Sequence, residues 1–359
     1  MNRHQIDEKN SIAQLTASYN QLYKDFTCTN LSEIGNYHII KPIGEGSFGK
    51  VYLAYHKFTQ TKVVLKSGSK IDSNVVREVY YHKQLKHSNI AKLYEVIITE
   101  KYVYMVLEYC PKSELLEYLI KIKRIPLDEV KKFFSQICSA VLYAHSMNCA
   151  HRDLKLENIL LDRKKNCKLT DFGFSRECHS KSILETICGT AVYMAPELLL
   201  KKKYSGFQID IWSLGIIFYT LLYGQYPFDE DDEVKTSFKI INGDPVFKND
   251  IPDQAIDLLK KLLSKDPFKR PSIEDVLKSP FLAPYGLQNL ENSLYYTKYS
   301  QNFNQNQFSS KSERYVYKNL KRMGFDVSKL KDSILKRKCD PLCELPTKEK
   351  DLQVEQQAY

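Results

Sequence analysis

The chain has 359 residues, 43% hydrophobic and 27% charged, enough to bury at least one large core; 25 Tyr and 17 Phe against 13 Gly and 13 Pro exclude a disordered or collagen-like chain. Its 53 basic and 43 acidic side chains leave a formal charge of +10. The cations fall in short clusters such as 121–124 and 201–203, without interleaved aromatics, so they read as solvated surface and not as a nucleic-acid platform. The longest nearly apolar run, Leu214 to Tyr223, is about half a membrane span, and the first ten residues lack a secretory apolar core. An intracellular, cytoplasmic protein is expected, with the nucleus left open. Nine cysteines without a C-x-x-C pair read as reduced thiols.

Residues 1–36 form a polar N-terminal extension in which Ile12, Leu15, Tyr19 and Leu22 fall at helical spacing. From Tyr37 short β-type runs follow at Tyr37 to Ile43, Gly49 to Tyr55, Lys62 to Lys66, Ala91 to Ile98 and Tyr102 to Glu108. They predict a five-stranded antiparallel sheet, with a helix over 74–85 between the third and fourth strands. After Pro111 the spacing turns helical, as at Val130, Phe133, Phe134, Ile137, Val141 and Leu142, and again from Ile209 to Leu222. The expected fold is α+β in two lobes, a sheet-rich small lobe over 37–109 and a mainly helical large lobe over 110–282. Residues 283–310, rich in Asn and Gln, read as a flexible linker. Over 311–345 two short amphipathic helices are expected, carried by Tyr317, Leu320 and Met323 and by Val327, Leu330, Ile334 and Leu335, before a polar tail at 346–359.

Between the first two strands lies Gly44-Glu45-Gly46-Ser47-Phe48-Gly49-Lys50-Val51, where glycines let the backbone approach a phosphate. A dinucleotide-binding fold would place a helix directly after it; here a strand follows, then Lys66 at the end of Val63-Val64-Leu65. A buried ammonium needs a partner, and Glu78 on the helical segment supplies one. On these residues alone the pair is a structural salt bridge or a phosphate-binding lysine held by its glutamate.

His151-Arg152-Asp153-Leu154-Lys155-Leu156-Glu157-Asn158 is followed by Asp171-Phe172-Gly173 and later by Ala195-Pro196-Glu197. With the glycine loop, Lys66 and Glu78, these motifs resemble those of eukaryotic protein kinases over about Tyr37 to Leu282. The resemblance is to the Ser/Thr type, in the calcium/calmodulin-kinase group, closest to the AMP-activated-kinase-related enzymes. It implies a bilobal kinase that uses ATP and magnesium. Lys66, oriented by Glu78, would hold the α- and β-phosphates, while Asn158 and Asp171 would hold the metal. Asp153 would accept the substrate hydroxyl proton, with Lys155 beside the γ-phosphate. Gly44, Glu45, Gly46, Ser47, Phe48, Gly49, Val51 and Val64 would cover the nucleotide; Leu107 resembles the gatekeeper, and Glu108 to Cys110 the hinge. Asp210 resembles the aspartate that braces the catalytic loop, and Arg270 the partner of Glu197.

The same resemblance makes Thr186 the activating phosphorylation site of an upstream kinase, with Arg152 as a cation for that phosphate, and gives Thr190 a substrate-side role. Glu114 and Glu157 match positions that meet arginines upstream of the target residue, or else Glu114 contacts only ribose and Glu157 only solvent; Thr220 argues against a double-arginine requirement. Val64 stands where the family has alanine, twelve residues separate Lys66 from Glu78 so that the helix should start late, and His82 stands where an apolar residue packs on Phe172. Residues 311–345 resemble a ubiquitin-associated-like domain, either regulatory or stabilising. The expected molecule is a monomer acting on protein substrates, with no nucleic-acid or membrane partner. Its rival is a nucleotide-binding pseudokinase scaffold, which would typically have lost Lys66, Asp153, Asn158 or Asp171.

Overall fold

A computed structural model describes residues 32–46, 49–177, 191–248 and 250–302. The small lobe is a six-stranded antiparallel sheet built from β1 (Glu33–Ile34), β2 (Tyr37–Gly46), β3 (Gly49–His56), β4 (Lys62–Ser69), β5 (Leu93–Ile98) and β6 (Tyr102–Glu108), in the order β1-β2-β3-β4-β6-β5. The expected five strands are present, and β1 adds one from the end of the presumed N-terminal extension. Ile34 pairs with Tyr37 across a two-residue turn in which Gly35 takes φ +53°, so the Gly-Asn dipeptide makes a hairpin. Successive side chains of β4 point to opposite faces. Val63 and Leu65 join Ile34, Tyr37, Ala54, Tyr104 and Val106 on the outer face. Val64 faces the other way, towards Leu93, Met105 and Leu107, and Lys66, two residues on, shares that face.

Helix α1 (Ser73–His82) connects β4 to β5; Asp72 caps it by accepting from the Asn74 amide, so the helix begins late, as the short Lys66–Glu78 spacing requires. In the large lobe, α2 (Leu115–Ile122) and the long α3 (Leu127–Ser146) precede the short strands β7 (Cys149–Ala150), β8 (Ile159–Leu161), β9 (Cys167–Leu169) and β10 (Arg176–Glu177). Then come α4 (Pro196–Leu199), α5 (Gly206–Tyr223), α6 (Glu233–Asn242), α7 (Asp253–Leu262), α8 (Ile273–Leu277) and α9 (Tyr285–Asn302). Helix α5 is the hydrophobic axis of this lobe. By length and composition alone it could cross a membrane, but 83% of its apolar window is buried inside the protein, and Phe218 stacks on Phe134 of α3 at 4.3 Å. Arg270 and Glu197 form a buried two-bond ion pair, both at 2.7 Å, that ties α4 to the end of the lobe. Cys110, Cys138 and Cys167 are free thiols.

The linker reading of 283–310 is corrected over its first part. Residues 285–302 form helix α9, which lies along α3. The seam between them is largely polar: Asn289 Nδ2 donates to Ser135 Oγ at 3.3 Å, Ser139 Oγ donates to Asn289 O at 2.7 Å, and the hydroxyls of Tyr143 and Ser300 meet at 2.8 Å, as do those of Ser146 and Thr297. Asn289, Ser293 and Ser300 are buried together with Leu290, so the segment has helical period in residues that an apolar pattern does not register. The helical segment expected over 311–345 lies outside the described residues.

Candidate active site

The site forms where the inner face of the small-lobe sheet meets the loops after β7 and β9. The Lys66 ammonium donates to both Glu78 oxygens, at 2.8 and 2.9 Å, and lies 3.2 Å from Asp171 Oδ1. Lys66 is 6% exposed and Glu78 fully buried. Burial opposes the charge on Lys66, but the two carboxylates outweigh it and hold its pKa above the ordinary lysine value. Burial pushes the Glu78 carboxyl up to about 7, Lys66 pulls against that rise and Asp171 adds to it. The β4 register sets Val51 opposite Lys66 and Leu107 opposite Val64, so the expected roof and back of a base pocket share one surface.

A second cluster sits on the loop after β7. Lys155 Nζ is 3.0 Å from Asp153 Oδ2, and Asn158 Nδ2 donates to the Asp153 carbonyl at 2.8 Å and to its Oδ2 at 3.1 Å. The Thr170 amide donates to Asn158 O at 3.0 Å, which joins this cluster to the Asp171 segment. Both segments are bent where side chains resist bending: Arg152 and Asp171 take φ +66°, a strain on the order of 1 kcal/mol each. The loop is held down by Asp210 of α5. Its fully buried carboxylate accepts from the amides of His151 and Arg152, at 2.9 and 2.8 Å, and from His145 Nε2 at 2.7 Å.

Phe172 lies between two imidazoles, 4.8 Å from the His151 ring and 5.1 Å from His82. His82 Nε2 donates to Ala91 O at 2.7 Å while its Nδ1 is buried without a partner among the described residues, which is the neutral tautomer. Burial lowers its pKa to about 4; burial, with Lys168 adding, lowers that of His87 to about 3. Both values lie below the ordinary 6.5. The stability these neutral rings support is therefore full above pH 6.5 and is lost as the pH falls towards 4 and 3, about 2 kcal/mol each by pH 5. Glu78, raised to about 7, acts in the opposite sense in that window, so the test is a comparison of variants. His82→Leu is expected to flatten the acid fall in melting temperature between pH 7 and 5; an acid slope identical to wild type would contradict this.

Gly49 and Gly44 serve different ends. A Cβ on Gly49 would lie 2.3 Å from Ser67 O, so the strand crossing demands glycine there. A Cβ on Gly44 meets nothing within 4 Å: that glycine serves no packing need and leaves open space under the loop. A nucleotide with a hard divalent cation fits these groups, since Lys66 provides a cation and Asp171 and Asn158 provide oxygen donors, with Asn158 Nδ2 already committed to Asp153. Among the described residues no group of three or more His, Cys, Asp or Glu is placed to hold a metal ion.

Glu45 is exposed at the end of β2. Glu108 spends its carboxylate on Lys168, at 2.9 Å, and on the Lys92 amide, so any contact with a base would come from its backbone. Burial pushes the Cys110 thiol up to about 12 and keeps it unreactive. Glu114 precedes α2 as its capping residue and is half-buried; burial raises its pKa, and the charges of Glu117 and Glu157 act in the same direction. Thr220 is buried and donates its hydroxyl to Ile216 O within its own helix. Ser47, Phe48, Thr186 and Thr190 lie outside the described residues. Sequence reasoning missed Tyr193, whose hydroxyl accepts from the Leu156 amide at 3.2 Å and donates to Glu157 at 3.4 Å. It also missed Lys168, the partner of Glu108; the only sequence signal for it is a lysine inside a buried strand.

A family model described as "Protein kinase domain" matches residues 37–282. The chain is 54% identical to a putative serine/threonine-protein kinase of Saccharomyces cerevisiae, over 94% of its own length and 37% of that protein's. It is 43% identical to a serine/threonine-protein kinase of Schizosaccharomyces pombe, over 93% and 48% of the two lengths. A carbon catabolite-derepressing protein kinase of Candida glabrata is 37% identical over 84% of this chain and 51% of the relative. The chain thus spans between about a third and a half of the curated relatives it matches.

Proposed function

The chain belongs to the protein kinase family, in its serine/threonine class, and from that premise we propose that it transfers the γ-phosphate of ATP, with magnesium, to Ser or Thr hydroxyls of proteins. The observation that carries this reading is the joining of the Lys66–Glu78–Asp171 cluster to the Asp153–Lys155–Asn158 cluster in one cleft. Asp153 takes the proton of the attacking hydroxyl as its oxygen bonds to phosphorus, while the bond from phosphorus to the β–γ bridging oxygen breaks and ADP leaves. Lys66 steadies the ADP phosphates, and Lys155 offers a positive charge beside the transferred group, where charge is spread over three oxygens. Magnesium, held by Asp171 and Asn158, would neutralise phosphate charge.

Burial and then the charges of Glu117 and Glu157 raise the pKa of Glu114, so Glu114 and Glu157 share one acidic neighbourhood, which favours substrates with basic residues upstream of the target. Phosphorylation of Thr186 by an upstream kinase completes the proposal, its phosphate pairing with Arg152. The test is transfer from radiolabelled ATP to a Ser peptide with and without upstream arginines, by wild type and by Thr186→Ala. Expected results are a preference for the arginine peptide and a low basal rate in Thr186→Ala that an upstream kinase does not raise. Equal rates on both peptides would remove the basic preference, and an unaltered Thr186→Ala would remove the switch.

A further inference from the structure

Loop 87–91, between α1 and β5, is a bracket for both halves of the active site. On one side the Ala91 carbonyl accepts from His82 of α1, one turn beyond Glu78. On the other, Asn89 Nδ2 donates to Cys167 O at 2.9 Å, the Leu169 amide to Asn89 O at 2.8 Å and the Ala91 amide to Leu169 O at 2.9 Å. Leu169 ends β9, two residues before Asp171. A shift of this loop therefore displaces Glu78 and Asp171, the two carboxylates that meet Lys66.

Helix α9 grips the loop from outside, beyond the residues that the family model matches. Asn292 Nδ2 donates to Ser88 Oγ at 2.8 Å, and the Tyr296 ring packs edge-on against His87 at 4.8 Å. The His87 ring also stacks on Tyr143 of α3, at 5.2 Å, and the Tyr143 and Tyr296 rings meet edge-on at 6.3 Å. A chain of hydrogen bonds completes the grip: the Asn89 amide donates to His87 Nδ1 at 3.0 Å, His87 Nε2 to Ser139 Oγ at 3.3 Å, and Ser139 Oγ to Asn289 O. The two inner members, His87 and Ser139, are each used once as donor and once as acceptor, which fixes a single tautomer of a neutral His87.

We propose that α9 is a positioning helix for phosphoryl transfer, with Asn292 and Tyr296 as positioning residues that hold loop 87–91 and, through it, the Lys66–Glu78–Asp171 cluster. The inference rests on the reading of that cluster as the nucleotide site. A helix that only stabilised the large lobe would need its contacts with α3 alone; the contacts at Ser88 and His87 reach past α3 to the small-lobe loop.

The test uses the full chain with Asn292→Ala, Tyr296→Ala and Tyr296→Phe. Two quantities are read: amide hydrogen exchange at Ala91 and Leu169 with α5 as internal reference, and kcat/KM for ATP with magnesium and a basic Ser peptide. Both alanine variants are expected to speed exchange at Ala91 and Leu169 while α5 keeps its protection, and to lower kcat/KM by about two- to tenfold, the scale of one lost hydrogen bond or packed edge. Tyr296→Phe, which keeps the ring, restores both. Unchanged exchange at Ala91 and Leu169 in the folded alanine variants overturns the proposal, as does a kcat/KM equal to wild type when exchange has risen. Should Tyr296→Ala fail to fold, Asn292→Ala, which removes one partly buried hydrogen bond, carries the same two readouts. A wild type that transfers no phosphate defeats the kinase reading, while exchange still decides whether α9 grips the loop.

Discussion

Asp153→Asn is expected to lower kcat by about 10²–10⁴, the usual share of a positioned proton acceptor, while leaving ATP affinity close to wild type. The substitution keeps the shape of the side chain and removes its ability to take a proton. Asp153 sits against Lys155 at 3.0 Å and Asn158 at 3.1 Å, so an amide in its place would still accept from one of them. Nucleotide would still meet Lys66, held in place by Glu78 and Asp171, and none of these touches Asp153 through any bond described above. The measurement is single-turnover transfer beside nucleotide binding. A variant as fast as wild type would deny Asp153 its role, and a parallel loss of ATP binding would show that it acts by holding the site together.

The second large effect is structural. Asp210→Ala removes the acceptor of two buried donors, the amides of His151 and Arg152, and of the partly buried His145 ring. Leaving them without partners is expected to cost about 3–5 kcal/mol, a large part of the stability of an ordinary domain. Activity should fall further than the folded fraction does, since Arg152 holds a positive φ that those bonds maintain. Denaturant unfolding of Asp210→Ala and Asp210→Asn separates the two effects, because asparagine keeps one carbonyl oxygen for the loop. A cost below about 1 kcal/mol in the alanine variant would mean that water replaces the carboxylate.

Much of this site was legible because its chemistry demands particular side chains in a fixed order. Lys66, Glu78, Asp153, Asn158 and Asp171 could be named from their motifs, and the structure brings them together. Contacts made by residues of no special chemistry were not legible. Tyr193 gives no signal beyond its place before Ala195, and its bonds to Leu156 and Glu157 depend on how two distant loops fold. Strand β1 is not legible as a strand because two residues are too few for alternation to show, although the Gly35-Asn36 turn beside it carries the hairpin signal. Helix α9 shows no apolar periodicity, so its composition reads as linker; its buried stripe runs through Asn289, Ser293 and Ser300 instead.

That polar stripe also decides how separation of α9 from α3 would register in a calorimeter. Exposing apolar surface raises heat capacity and exposing polar surface lowers it, so a seam rich in Ser, Asn and Tyr hydroxyl contacts largely cancels its own signal. Undocking of this helix would leave little trace in the heat-capacity baseline, in contrast to the loss of an apolar helix such as α5. The two lobes could then pass a thermal scan as one transition while the seam between α9 and α3 opened well below it.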